Sequence, residues 1–415
     1  MTDVRITATY RLASHLPLER AAQILAGEQS SGTFTRVALE SDDLLREHGA
    51  VVEDIVLDEE PLESLRGAWN PAGAPLQSGI VRIAFPAQNL GPSVASLLTT
   101  VAGNLYEIRE LAAVKLLDVE LPATFAGRYS GPVQGIAGTR RATGNESGVL
   151  IGTIVKPSIG LSVDQLTVLV RELAGAGIDF IKDDELNTDP PFAPLHERIR
   201  RVLQVIREVA DQTGKKTMYS VNITGDMDSM KRAVELVEQE QGSAVMVAIP
   251  AVGFSALAEL RQHTDLVIHG HRAGFGALDR NANLGISFRA FAKLVAVCGA
   301  DHLHVGGVNG KFWESNRQVV ESVQAMREVV PFGEQMLPVL SSAQTAATAA
   351  ATYELLPYRD LLVLAGGGIH AHPGGVADGV ASMREAWQAV VAGEDPNVIA
   401  DPGSALDVAL STFGR

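Results

Sequence analysis

Cysteine is almost missing from this chain: Cys298 stands alone among 415 residues. That excludes an intrachain disulfide and any cysteine-rich zinc or iron–sulfur site within one subunit. Its surroundings, the apolar run FRAFAKLVAVCGA, predict a buried thiol. No uninterrupted apolar stretch approaches the ~18 residues of a membrane-spanning helix. The start, MTDVRITATYRLAS, also lacks the basic-then-apolar pattern of a signal peptide. A cytoplasmic location without membrane association is expected. Cations are scarce as well, 34 Lys and Arg against 49 Asp and Glu, for a net charge of −15. Nonspecific binding to nucleic acid draws on phosphate neutralisation by Lys and Arg, so small-molecule chemistry is the better expectation.

What is present is the material for a large core. Hydrophobic residues make up 46% of the chain and charged ones 20%, the balance of a globular protein. At roughly 100 to 200 residues per domain the length predicts two or three. Residues 1–125 mix strand-like VRITATYRL and GIVRIAFP with helix-like SVASLLTTVAGNLY in no regular alternation, which predicts a smaller α+β domain. From Gly148 onward, short apolar runs alternate with helical periods. Eight such runs occur: VLIGTIVKP, IDFIKDDE, KTMYSVNIT, SAVMVAIP, DLVIHGHR, DHLHVGG, MLPVLSS and LLVLAGGG. Eight strand–helix units predict an α/β fold, a (β/α)8 TIM barrel over residues 126–400, followed by a tail at 401–415. Between the first two runs, LSVDQLTVLVRELAGAG predicts a helix with Leu166, Val168, Leu169 and Leu173 on one face, closing at Gly175 and Gly177.

Active sites of such barrels sit at the C-terminal ends of the strands. The polar residues there are Lys156, then Lys182, Asp184 and Glu185, then Asn222, and after the fifth run His269, His271 and Arg272. His302 and His304, Ser341, and Gly366, Gly367 and Gly368 follow. Asp184 and Glu185 supply hard oxygen ligands of the kind that hold Mg²⁺, or else form a solvated acidic loop. The three glycines provide either a backbone cradle for phosphate or a tight turn. Lys156, Arg272 and His304 at three strand ends would make a cationic well for an anionic substrate, unless each is a paired structural residue.

Long segments resemble one known family in order and spacing. GTIVKPSIGLS, DFIKDDE, HGHRAGFGALDR, DHLHVGGVNGKF and LAGGGIHAHPGG resemble the barrel motifs of the ribulose bisphosphate carboxylase large chain, and GEQSSGTFT and VAGNLYEI resemble its N-terminal substrate-contacting segments. The resemblance implies that CO₂ converts Lys182 to a carbamate, which completes a Mg²⁺ site with Asp184 and Glu185. It implies Lys156 as the base for enolisation or its electrostatic helper, and His271 as a substrate contact. Arg272 and His304 would hold a phosphate, Lys311 would sit on a mobile loop after the sixth strand, and Ser341, Gly366 and Gly367 would line the substrate site. Glu28, Thr33 and Asn104 would enter that site from a neighbouring subunit, so a homodimer or an assembly of dimers is implied.

The departures from that pattern bear on function. The second lysine of the carboxylases' K-P-K motif is Ser158 here, the second histidine of the strand-five motif is Phe275, and LSSAQ replaces a serine followed by two glycines. These changes imply a RuBisCO-like protein that does not carboxylate ribulose bisphosphate. The methionine-salvage enolase has a lysine at the position of Asn104 and lacks the loop lysine, which points away from that activity; enolisation of a diketo-methylthiopentyl phosphate and isomerisation of a methylthioribulose phosphate stand as the weaker alternatives. A retained Lys311 with His271 and Arg272 suits a phosphorylated 3-oxo sugar acid of the 3-oxo-isoapionate 4-phosphate type, broken by decarboxylation or by hydrolytic C–C cleavage. A noncatalytic structural or regulatory relative is the reading of another class, and retention of Lys156, Lys182, Asp184 and Glu185 argues against it.

Overall fold

A computed structural model describes residues 4–32, 37–60, 62–70, 73–91, 93–328 and 333–414. The strands in chain order are β1 (Arg5–Ser14), β2 (Val51–Leu57), β3 (Gln77–Pro86), β4 (Ala113–Glu120), β5 (Leu150–Ile154), β6 (Phe180–Lys182), β7 (Met218–Asn222), β8 (Ala244–Ala248), β9 (Val267–His271), β10 (Leu284–Ile286), β11 (His302–Gly306), β12 (Leu337–Leu340) and β13 (Leu362–Leu364). They divide between two compact units, residues 1–129 with 274–297, and residues 130–273 with 298–415.

The first unit holds a five-stranded sheet in the order β10-β4-β1-β3-β2. β1 runs antiparallel to both β3 and β4, while β10, from far along the chain, adds to β4 in parallel. Ion pairing fixes that addition: Lys115 Nζ lies 2.6 Å from Asp279 Oδ1 and donates to the Asp279 and Asn281 carbonyls. Phe275, at the position of the family's second histidine, is buried here against Phe288 and Phe291.

The second unit is a closed parallel barrel, β11-β12-β13-β5-β6-β7-β8-β9. Each of the eight apolar runs supplies one strand. Buried residues of neighbouring strands, among them Leu150, Phe180, Met218, Val267, Val339 and Leu364, form one apolar cluster. Packing is tight enough that a Cβ on Gly152 would sit 2.6 Å from Leu364 Cδ2. The helix after β5 spans Val163–Gly175 and starts with a capping box, in which Ser162 accepts from the Gln165 N–H and the Gln165 side chain accepts in return. Its buried face is Val163, Leu166, Thr167, Val170, Leu173 and Ala174. Val168 is 61% exposed, because a residue two positions from Leu166 turns to the far side of a helix. Cys298 is buried, and burial raises its thiol pKa. Within 401–415 lies a helix, Ala405–Phe413, capped by Ser404 and packed on Val376–Ala392 through the buried Leu406 and Ala409. Among the described residues no helix is long and apolar enough to cross a membrane.

Candidate active site

The C-terminal ends of β5, β6 and β9 bring charged side chains together. Lys182 ends β6 with its side chain only 1% exposed. Its Nζ donates to the Asp183 carbonyl at 2.9 Å and lies 3.4 Å from Glu185 Oε2. The same carboxylate oxygen is 3.4 Å from His271 Nε2. Lys156, just past β5, donates to Asp184 Oδ2 at 2.8 Å and to Ser158 Oγ at 2.7 Å. Ser158, where the carboxylases carry a second lysine, thus supplies an acceptor to the first.

The three consecutive acids do different work. Asp183 is wholly buried and accepts from Arg198 Nε, Tyr219 Oη and the Asn222 N–H at 3.2, 2.5 and 2.9 Å. That is a structural ion pair. Asn222 donates its amide to the Asp184 and Glu185 carbonyls, so it holds the backbone that carries those carboxylates. Asp184 and Glu185 meet the two lysines instead, Asp184 Oδ2 at Lys156 Nζ and Glu185 Oε2 at Lys182 Nζ. Among the described residues no three His, Cys, Asp or Glu side chains gather as a ready-made metal site.

Burial and nearby carboxylates pull Lys182 in opposite directions. Burial lowers its pKa, and the attraction of Glu185 and Asp184 only partly opposes that. Burial acts to raise the Glu185 pKa, but Lys182 beside it brings the net effect below the ordinary carboxylate value. His271 falls well below the ordinary histidine value, first through burial and then through Lys182. Its Nδ1 accepts from the Ala273 N–H, so the neutral ring carries its proton on Nε2.

The remaining sequence-derived residues take varied positions. Arg272 pairs with Glu314 at 2.5 Å, both side chains about a tenth exposed at 11% and 9%. A phosphate reaching Arg272 therefore competes with a carboxylate that sequence reading did not single out. Lys311 is exposed, with its backbone N–H donating to Ser342 Oγ at 2.8 Å and its ammonium 5.7 Å from the Phe312 ring. Ser342 and Ala343 have φ of +78° and +55°. The backbone keeps the left-handed conformation suited to the family's two glycines, although the side chains differ, at some cost in strain. Gly366 approaches Lys156, whose Cε is 3.7 Å from where a Cβ would be, and Gly367 faces open space. Both precede or begin the single turn Gly367–His370.

In the first unit, Glu28 ends the helix Leu18–Glu28 and Asn104 begins the turn Asn104–Glu107; both are exposed. The Gln29 amide, in the orientation that satisfies its neighbours, donates to the Thr99 and Thr100 carbonyls and accepts from the Leu105 N–H, tying these two elements together. Thr33 lies outside the described residues.

His269, His302 and His304 lie inside the barrel. The H-x-H spacing in β9 and β11 turns both imidazoles of each strand to the same side, a signal available from period two. His269 Nε2 is 2.8 Å from His304 Nε2, and His304 Nδ1 is 3.0 Å from Ser341 Oγ. Both nitrogens of His304 are therefore engaged by the protein.

Comparison with known proteins gives the family. Residues 2–125 match the family described as ribulose bisphosphate carboxylase large chain, N-terminal domain, and residues 135–413 its catalytic domain. The chain is 42% identical over 411 residues to a 3-oxo-isoapionate-4-phosphate transcarboxylase/hydrolase of Xanthobacter autotrophicus, covering 98% of each. It is 37% identical to a 3-oxo-isoapionate-4-phosphate decarboxylase of Rhizobium etli, again over 98% of each chain. The crystal structure of a rubisco-like protein from Burkholderia fungorum superimposes with a TM-score of 0.92 at 40% identity, covering 99% of this chain and 100% of that one. With the barrel, the N-terminal sheet and both family domains in place, the chain belongs to the ribulose bisphosphate carboxylase large-chain family.

Proposed function

We propose that the chain is a Mg²⁺-dependent RuBisCO-like enzyme that breaks a carbon–carbon bond beside the carboxylate of a phosphorylated 3-oxo sugar acid, of the 3-oxo-isoapionate 4-phosphate type. The observation that carries this reading is the cluster at the ends of β5 and β6: a buried Lys182 amine beside Glu185, with Asp184 held by Lys156, and burial lowering the Lys182 pKa. Two carboxylates alone are a sparse site for a hard cation, which takes oxygen ligands. A neutral amine that adds CO₂ becomes a third anionic oxygen donor, so the donor set fits Mg²⁺ held by Lys182, Asp184 and Glu185. When bound, Mg²⁺ supplies stabilisation of negative charge that develops on oxygens next to the breaking bond.

The chain's own residues supply the rest. Lys156, whose Nζ is partly exposed and hydrogen-bonded to Ser158, delivers the proton to the carbon that loses its carboxylate. His271 Nε2, 3.4 Å from Glu185 Oε2, stands beside that carboxylate as the contact for substrate. Lys311, on the exposed segment after β11, is the cation that closes over the substrate carboxylate and excludes water. Glu28 and Asn104, with Thr33, complete the site from a second subunit of a homodimer or larger assembly. The activities of the relatives support both hydrolytic cleavage and decarboxylation, with the greater identity on the side of the transcarboxylase/hydrolase.

The test is product analysis. Purified chain treated with Mg²⁺ and bicarbonate is given 3-oxo-isoapionate 4-phosphate, and CO₂ and the cleaved acid are measured beside a ribulose bisphosphate control. Release of either product from the sugar acid, with no carboxylation of the control, is expected. Release of neither sinks the reading. Undiminished turnover by Lys311→Ala would transfer support to enolisation or isomerisation.

A further inference from the structure

One hydrogen-bonded line of side chains runs through the barrel and ends at the mouth. Thr139 Oγ1, on the helix Gly135–Thr143, lies 2.7 Å from His302 Nε2. His302 Nδ1 is 3.1 Å from His269 Nδ1, His269 Nε2 is 2.8 Å from His304 Nε2, and His304 Nδ1 is 3.0 Å from Ser341 Oγ. All five side chains are buried, with Ser341 the most exposed at 9%.

Proton counting fixes the direction of this line. Each of its four junctions needs one proton, and each neutral imidazole supplies one. The rings are neutral: burial brings His302 down to about 3, and burial above all holds His269 and His304 well below the ordinary value. The fourth proton must come from one hydroxyl end. Thr139 Oγ1 is also 2.6 Å from the Gly135 carbonyl oxygen, which can only accept. With its single proton spent there, Thr139 accepts from His302 Nε2–H. His302 Nδ1 must then accept from His269 Nδ1–H, His269 Nε2 from His304 Nε2–H, and His304 Nδ1 from the Ser341 hydroxyl.

We propose that Thr139 is a positioning residue that sets the tautomers of His302, His269 and His304, and through them presents Ser341 Oγ to the active site as an acceptor. With its proton directed into the barrel, Ser341 offers only lone pairs at the mouth. It then favours a substrate hydroxyl, which can donate, and disfavours a carboxylate or phosphate oxygen, which cannot. The statement about substrate rests on the barrel mouth being the active site, as proposed above; the tautomers do not.

Thr139→Val removes the acceptor for His302 Nε2–H. Reversing every tautomer leaves a bare ring nitrogen against the valine, which costs less than burying an unsatisfied N–H, and frees the Ser341 proton to face outward. The experiment is nuclear magnetic resonance of the whole protein with ring-¹⁵N histidine, assigned through single-histidine variants. The native chain is expected to carry protons on His302 Nε2, His269 Nδ1 and His304 Nε2. Thr139→Val is expected to move them to the opposite nitrogens, and Thr139→Ser, which keeps the hydroxyl, to restore the native pattern. A native His304 protonated on Nδ1, or a Thr139→Val spectrum with unchanged tautomers, overturns the proposal. These readouts need no substrate, so they stand even if the assigned reaction is wrong. With the sugar-acid substrate, Thr139→Val should lose about tenfold in kcat/KM, the worth of one neutral hydrogen bond, and Thr139→Ser should regain it.

Discussion

Acid should unfold this protein early, and His302 shows why. In the unfolded chain its imidazole titrates near 6.5; in the folded barrel burial lowers that to about 3. Between these values the unfolded chain binds a proton that the folded one does not. The stability contributed by the neutral, buried ring is therefore complete above pH 6.5 and is lost progressively as pH falls toward 3. At pH 5, one and a half units below the unfolded value, the loss is about 2 kcal/mol from His302 alone, at 1.36 kcal/mol per unit. Because pH 5 lies well above 3, that figure depends almost entirely on the unfolded value. His269 and His304 shift the same way and add to it. Urea unfolding of the native chain and of His302→Gln at pH 8 and pH 5 isolates the contribution, since glutamine hydrogen-bonds but does not titrate. The difference between the two pH values should shrink by about 2 kcal/mol in the variant. Equal pH dependence in both proteins would refute the burial of a neutral His302.

Lys156→Ala should lower kcat by about 10² to 10⁴ while leaving circular dichroism unchanged, as expected for loss of a proton-transfer group. Asp301→Ala should cost about 3–5 kcal/mol in calorimetry, because it strands the buried Arg261 and removes the acceptor for the Val133, Gln134 and Gly135 N–H groups. Ala343→Gly should raise the unfolding free energy by about 1 kcal/mol by relieving a left-handed backbone, and an unchanged value would show that no strain is held there. Asn104→Ala and Lys182→Ala subunits, each inactive alone, should regain activity when mixed; failure to do so would exclude a site shared between subunits.

The barrel was legible because parallel strands covered on both sides are written as continuous apolar runs, and the eight runs correspond to its eight strands. β2 was not legible: VVEDIVL is largely exposed and its pairing depends on β3 at a distance. β10, only three residues long, carries too little pattern to be read as a strand. At the mouth, the K-D-D-E run announced charge but not its division of labour. Asp183 is structural because Arg198 and Tyr219, neither adjacent in sequence, enclose it. Glu314 and Thr139 escaped for the same reason, since their importance lies in partners 42 and 163 positions away, Arg272 and His302.

β10 also has a consequence for how the chain is made. β4 ends at Glu120 and pairs on one side with β1, but its other edge waits for Leu284–Ile286. At the usual pace of synthesis, on the order of 10 to 30 s separate the emergence of the two strands from the ribosome. Throughout that interval a mostly buried strand presents an unpaired backbone edge, the template on which other chains add. The first unit can therefore close only after five barrel strands, β5 to β9, have been synthesised, and the early nascent chain depends on dilution or a chaperone to keep β4 from pairing elsewhere.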